Sequence, residues 1–278
     1  MKISYLIDNT IFDCEFEDSC RFESGESVNL SEKFDDLTIS QEWYNRGYTK
    51  LNTNDFFDFE KVYSSLSKCI FSILKGLGVP FGGKDFSLPK YHQFVDSSIH
   101  GNVILKSRSL TPTEFEFDPN CFLKAISEYF GKELNWRSDG SYEPNIIARL
   151  NLPQSKNFNP AHKDIYQVYD DTGKIPRMVN IWVPICGVNK KTGLPLAVGS
   201  HLLKENEVFR SKAGVRMNGL KYNVNSTRDW GGQNKLKTMS PNSNEMLVFS
   251  SHLIHGLARN MNFDETRVSL EFRLFEVL

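Results

Sequence analysis

The chain has 278 residues, 40% of them hydrophobic and 24% charged, with a net charge of -1 at pH 7. That is ordinary globular composition, rich enough in apolar side chains for a sizeable core. Near-neutral charge gives no global attraction to nucleic acid or an anionic membrane, and no apolar run reaches the roughly 18–20 residues of a membrane span.

The N-terminal residues 1–8 read as a first strand, because the apolar stretch is too short for a signal peptide and meets Asp8 at once. Five cysteines (Cys14, Cys20, Cys69, Cys121, Cys186) are odd in number and unclustered, which fits reduced thiols in the cytoplasm and no C-x-x-C zinc site. Residues 8–36 carry ten Asp/Glu against Arg21 and Lys33 and read as a solvated segment, with Phe12, Phe16, Phe22 and Leu30 needing burial.

Two helices follow. Residues 58–75 place Val62, Leu66, Ile70 and Ile73 near a 3.6-residue period and stop at Gly76 and Gly78. Residues 118–130 place Phe122, Ile126 and Phe130 on one stripe, with Asp118 as N-cap, Pro119 in the first turn and Gly131 as the stop.

From about residue 144 the pattern turns to period two. Candidate strands are 145–151, 162–168, 177–185, 194–198, 245–250, 253–257 and 266–277, separated by turn signals such as Lys191-Thr192-Gly193. This spacing predicts a mainly β fold with flanking helices, a jelly roll or sandwich, in one domain: residues 1–143 as support and 144–278 as the core. Residues 204–237, with eight Lys/Arg against three Asp/Glu, read as a long insertion and a candidate lid.

The chemistry concentrates at His162-Lys163-Asp164. In a strand, residues i and i+2 share a face, so the imidazole and carboxylate reach one point while Lys163 points away. His255 is the expected third ligand, with Gly256 leaving room beside a metal; His252 reads as an ordinary polar residue. Two His and one carboxylate on one face of an octahedral ion leave three positions open, two for a chelating 2-oxo acid and one for O2. Twelve residues beyond His255, Arg267 offers a planar fork for a carboxylate, and Ser269 on the same face adds a hydroxyl. Val268 and Leu270 form the opposite, apolar face, and Glu271 and Arg273 continue the polar one.

These residues resemble the Fe(II)/2-oxoglutarate oxygenases, most closely the phytanoyl-CoA dioxygenase-like branch. The resemblance is carried by His162-Lys163-Asp164, His255-Gly256, Asn260 and Arg267-Val268-Ser269. It extends to Asn180–Ile185, Gly193–Leu196, Val198–His201 and Gly47–Leu51 before a helix, over roughly residues 41–278. It implies a double-stranded β-helix, metal ligands His162, Asp164 and His255, and oxidative decarboxylation of 2-oxoglutarate with O2, giving an iron oxidant that abstracts a substrate hydrogen. Trp182 is then expected to line the co-substrate pocket and Asn180 to contact its 2-oxo-acid end; His201 falls where a turn is shaped, not a ligand. Two departures stand out: no proline precedes Gly199, and Leu257 replaces a hydroxyl that Ser269 is placed to supply. Asp164 counts against the halogenase variants, in which a small residue stands there.

Arg149 and the basic stretch 204–237 point to a small anionic substrate rather than to a nucleic-acid or membrane partner. The rival readings are a jelly-roll metal protein without chemistry and an iron oxygenase that needs no 2-oxo acid.

Overall fold

The computed structural model describes residues 1–108, 110, 118–138, 146–167 and 173–277. In chain order the elements are β1 (Lys2–Ile7), β2 (Thr10–Glu15), β3 (Phe22–Ser24), α1 (Leu30–Lys33), β4 (Tyr48–Asn52), α2 (Phe59–Gly76), α3 (Ser97–Ser107), α4 (Pro119–Phe130), β5 (Leu134–Asn135) and β6 (Ile146–Asn151). They continue with β7 (Met178–Cys186), β8 (Leu194–Leu196), β9 (Val208–Met217), β10 (Leu220–Trp230), β11 (Lys235–Met239), β12 (Glu245–Ser250) and β13 (Arg267–Glu276).

Strand β13 organises the larger sheet, whose order is β4-β12-β7-β13-β6, with β5 extending the β6 edge. Alternation along β13 sends Val268, Leu270, Phe272 and Leu274 to one face, where they pack with α2, α4 and the odd-numbered apolar residues of β7. It sends Arg267, Ser269, Glu271 and Arg273 to the other face, beside Trp182, Asn180 and Arg149 of the paired strands. That polar face is the inner face of the barrel, not a solvated outer one.

The second sheet runs from the His162 segment through His255 to β8 and β11, extended by β1 and β2. Counting the eight core segments from β6, the two sheets have orders 1-8-3-6 and 2-7-4-5. This is the jelly-roll, or double-stranded β-helix, connectivity. Segments 2 and 7 are shorter than the pattern predicts. Residues 162–168 form no strand: His162 sits on an isolated bridge and Asp164–Gln167 is a 3-10 turn, with residue 168 outside those described. Residues 253–257 contribute bridges at His255, because Gly256 (φ 133°) and Leu257 (φ 56°) leave extended geometry.

Both expected helices form, capped by the Asp58 and Asp118 carboxylates, and Gly131 ends α4 in the left-handed region. Helix α3, interrupted by Gly101 and only weakly amphipathic, was not legible in the pattern; it packs on α2 and β6. Gly47–Leu51 opens onto β4 before α2, not directly onto a helix. In the acid-rich segment, Phe12 and Phe16 are buried, and β2 and β3 join the second sheet and the β9–β10 sheet.

The insertion 204–237 is no irregular loop. Most of it is a long hairpin, β9–β10, closed by Asn218-Gly219 with both residues at positive φ, and residues 235–237 already belong to core strand β11. Asn-Gly between paired strands is a strong signal for a two-residue type I′ turn, and it was present in the sequence. Among the described residues no helix is long and apolar enough to cross a membrane, and all five cysteines are free thiols.

Candidate metal centre and its cavity

His162, Asp164 and His255 are the one group of metal-capable side chains among the described residues whose ligand atoms converge, all within 4.8 Å of one another. Asp164 lies between the imidazoles, with Oδ1 3.5 Å from His162 Nε2 and Oδ2 3.6 Å from His255 Nε2. The residues that the strand argument grouped do converge, but through a different local geometry. Asp164 reaches the site from a 3-10 turn, while Lys163 turns away into a buried pair with Glu205 (2.6 Å). Gly256 likewise leaves no special room for a metal. A Cβ there would overlap Pro160 O, so the glycine permits close backbone approach.

Backbone carbonyls fix both tautomers. His162 Nδ1–H donates to Pro160 O (2.8 Å) and His255 Nδ1–H to Leu253 O (3.0 Å). A carbonyl only accepts, so each Nδ1 carries a proton and each Nε2 is the ring nitrogen turned to the shared point. Burial pushes His255 down to about 4, which keeps it neutral and ligand-ready at pH 7. Burial alone would raise Asp164, but Arg273, His255 and His162 outweigh it and hold the carboxyl well below its usual range. Two donors grip that carboxylate: Arg273 Nη2 on Oδ1 and Asn180 Nδ2 on Oδ2, both at 2.7 Å. Asn180 therefore orients the Asp164 carboxylate, and among the described residues its Oδ1 has no partner.

The triad opens onto a cavity of about 670 Å³. Arg267 lies in its wall, 2% exposed. Its Nε donates to Thr192 O (2.5 Å) and its Nη1 to Asn151 Oδ1 (2.8 Å). The guanidinium lies 5.3 Å from the Trp182 ring centre. Burial lowers it to about 10, which leaves it charged at neutral pH. Among the described residues, three buried polar atoms nearby lack partners: Arg267 Nη2, Ser269 Oγ and Trp182 Nε1. Stranding a buried donor costs about 1–3 kcal/mol, more when charged, so a cluster of them marks where a polar ligand belongs. The donor set fits a facial metal, and the free Arg267 Nη2 with the Ser269 hydroxyl fits a carboxylate.

Other expected residues separate clearly. Arg149 faces the cavity in an ion pair with Glu271 (2.9 Å). Asn260 shapes a loop by donating to Asn151 O and Glu265 O. His201 donates to Tyr44 O within a 3-10 turn. His252 is buried, and the charges bearing on it are Asp36, Lys163, Glu205 and His201, not the triad. Leu257 is buried in the second core and brings no hydroxyl. Arg273 and Glu271 are site-lining residues that the sequence placed on the right face without a role. The hairpin reaches the cavity through Lys221, Tyr222 and Asn223 of β10.

No protein-family model and no curated protein matches the sequence. Several solved structures are similar in layout. The non-heme monooxygenase ThoJ in a nickel complex is 15% identical over 87% of this chain and 77% of its own (TM-score 0.44). EctD from S. alaskensis with 2-oxoglutarate and 5-hydroxyectoine is 13% identical over 95% and 84% (TM-score 0.47). The epimerase SnoN with Fe3+, alpha ketoglutarate and nogalamycin RO is 12% identical over 86% and 83% (TM-score 0.44). Identities and superpositions this low do not reach the site, whose reading rests on its own geometry.

Proposed function

We propose that the protein is a non-haem Fe(II)/2-oxoglutarate-dependent dioxygenase that hydroxylates a small organic substrate bearing negative charge. The carrying observation is the pairing of two features in one cavity. A His, His, carboxylate triad turns both Nε2 atoms to one point, and a buried guanidinium beside it has, among the described residues, an unused Nη2. A structural metal site needs the first feature but not the second.

His162, Asp164 and His255 would hold the iron, and Arg267 with Ser269 would take the distal carboxylate of 2-oxoglutarate. Once bound, the iron supplies O2-dependent conversion of 2-oxoglutarate to succinate and CO2, with the second oxygen atom entering a substrate C–H bond. The protein's own part is positioning. Pro160 and Leu253 carbonyls hold the imidazole tautomers, Asn180 and Arg273 fix the carboxylate, and Trp182 walls the pocket against water. The motifs around Asn180–Ile185 and Gly193–Leu196 support placing it with the phytanoyl-CoA dioxygenase-like branch.

The test is O2-dependent succinate formation from 2-oxoglutarate in the presence of Fe(II). The reading expects turnover in the wild type and none in His162→Ala or Asp164→Ala. Metal binding without succinate would favour a metal-holding jelly roll or an oxygenase independent of 2-oxo acids.

A further inference from the structure

Arg149 on β6 and Glu271 on β13 meet diagonally across paired strands, on the cavity wall. Their side chains are 27% and 28% exposed. Glu271 is the one carboxylate among the described cavity-lining residues apart from the metal-site Asp164. The pair lines the same cavity as the metal-capable triad and Arg267.

The pairing has an unusual edge. A structural Arg–carboxylate pair commonly uses the guanidinium fork in a bidentate grip. Here only Arg149 Nε is engaged, on Glu271 Oε2 at 2.9 Å. Among the described residues, the two terminal nitrogens of Arg149 and Glu271 Oε1 make no further hydrogen bond. A guanidinium edge and a carboxylate oxygen are thus held side by side, locked to each other, each with unused capacity. Glu271 holds Arg149 firmly charged, against its burial. A lone anion would gain from Arg149 but be repelled by Glu271; a lone cation would meet the reverse.

We propose that the Arg149–Glu271 pair is the substrate-recognition element, and that the substrate is a zwitterion of the free α-amino-acid class, its carboxylate on Arg149 and its ammonium on Glu271. This rests on the oxygenase reading and narrows the negatively charged substrate to one that also carries a neighbouring positive charge. The pair gives specificity by difference, because an analogue lacking either charge leaves one half-buried partner unmatched.

The probes are the twenty L-amino acids, with matched 2-hydroxy acids lacking the ammonium and matched amines lacking the carboxylate. Each is added to the protein with Mn(II) and 2-oxoglutarate, and to the metal-free protein, and binding is read as a thermal shift. Parallel anaerobic samples with Fe(II) and 2-oxoglutarate are read by visible absorption. At least one amino acid is expected to raise Tm and perturb the absorption band, while its hydroxy and amine analogues do neither. Glu271→Gln and Arg149→Gln are each expected to raise the half-saturating concentration at least about tenfold while leaving the band of the Fe(II)–2-oxoglutarate complex in place. The double variant Arg149→Gln/Glu271→Gln leaves no lone charge, so it separates loss of recognition from loss of folding. The proposal is overturned if no amino acid binds, if the hydroxy acids bind equally well, or if Arg149→Gln abolishes the band, which would assign Arg149 to the co-substrate. Absence of the band in the wild type would count against the oxygenase reading alone, because the thermal shift of the metal-free protein still decides whether the pair selects a zwitterion.

Discussion

His162 and His255 face each other across a single β-bridge, each backbone N–H donating to the other's carbonyl, at 2.8 and 2.9 Å. Residues on such a hydrogen-bonded antiparallel pair project to the same side. The imidazoles, 93 positions apart in the chain, therefore lie with ring centres 4.4 Å apart. One bridge thus holds the two proposed ligands together, which makes the bridge itself part of the proposed metal site.

Gly256 is what lets that bridge close, since it adopts φ 133° and its Cα faces Pro160 O. Gly256→Ala should destabilise the protein by about 1–3 kcal/mol and weaken metal binding with it. Urea unfolding together with Mn(II) titration checks this. An alanine variant of unchanged stability would mean that the bridge tolerates a side chain there.

Arg273 and Asn180 share the Asp164 carboxylate. Arg273→Met should lower Mn(II) or Fe(II) affinity by roughly 10–100-fold, the usual cost of losing a partner that orients a ligand. Calorimetric titration in the variant measures it, and Arg273→Lys should recover part of the loss.

Arg267 acts on the co-substrate and not on the metal in this account. Arg267→Lys keeps the charge but loses the planar fork, so 2-oxoglutarate affinity should fall at least about tenfold while metal affinity stays near that of the wild type. Separate titrations of Mn(II), and of 2-oxoglutarate into the Mn(II) protein, distinguish the two effects.

His252 gives the apo protein an acid-sensitive core. Burial holds it at about 4, against an ordinary value of 6.5. Above pH 6.5 both folded and unfolded chains are neutral there, and the group contributes no pH dependence. Between 6.5 and about 4 the unfolded chain takes up a proton that the folded chain refuses, so stability falls as pH drops, by on the order of 3 kcal/mol over the window. Urea unfolding of the metal-free protein at pH 7.5 and 4.5 should show the fall, and His252→Gln should reduce it.

Lys163, wedged between two ligands in sequence, is fully buried against Glu205, with Tyr166 and Arg210 alongside. Lys163→Met leaves Glu205 short of its closest cation and should cost about 3 kcal/mol of stability. Chemical denaturation measures it.

Much of this was legible in the sequence, and the exceptions have physical causes. Helices α2 and α4 announced themselves through apolar stripes ended by Asp caps and Gly stops, because those signals are local. The convergence of His162, Asp164 and His255, and the burial of Arg267 in the same cavity wall, were legible because the proposed metal site and carboxylate clamp need particular residue types at ordered positions. The strand assignment at 162–168 failed because one bridge and a 3-10 turn suffice to present the ligands, and alternation cannot distinguish that from a strand. Glu271 and Arg273 could be placed on one face but not on the inner one, whereas Arg149 was read as pocket-facing and lines the cavity. An Arg-x-Ser-x-Glu-x-Arg alternation reads the same for solvent as for a cavity until the partner strands close over it.

The most direct test of the central claim is the visible spectrum of the protein under anaerobic conditions with Fe(II), before and after addition of 2-oxoglutarate. The account predicts a weak charge-transfer band that appears only with both components, is lost in His162→Ala and is weakened in Arg267→Ala. A wild-type spectrum unchanged by 2-oxoglutarate, despite stoichiometric Fe(II) binding, would contradict it.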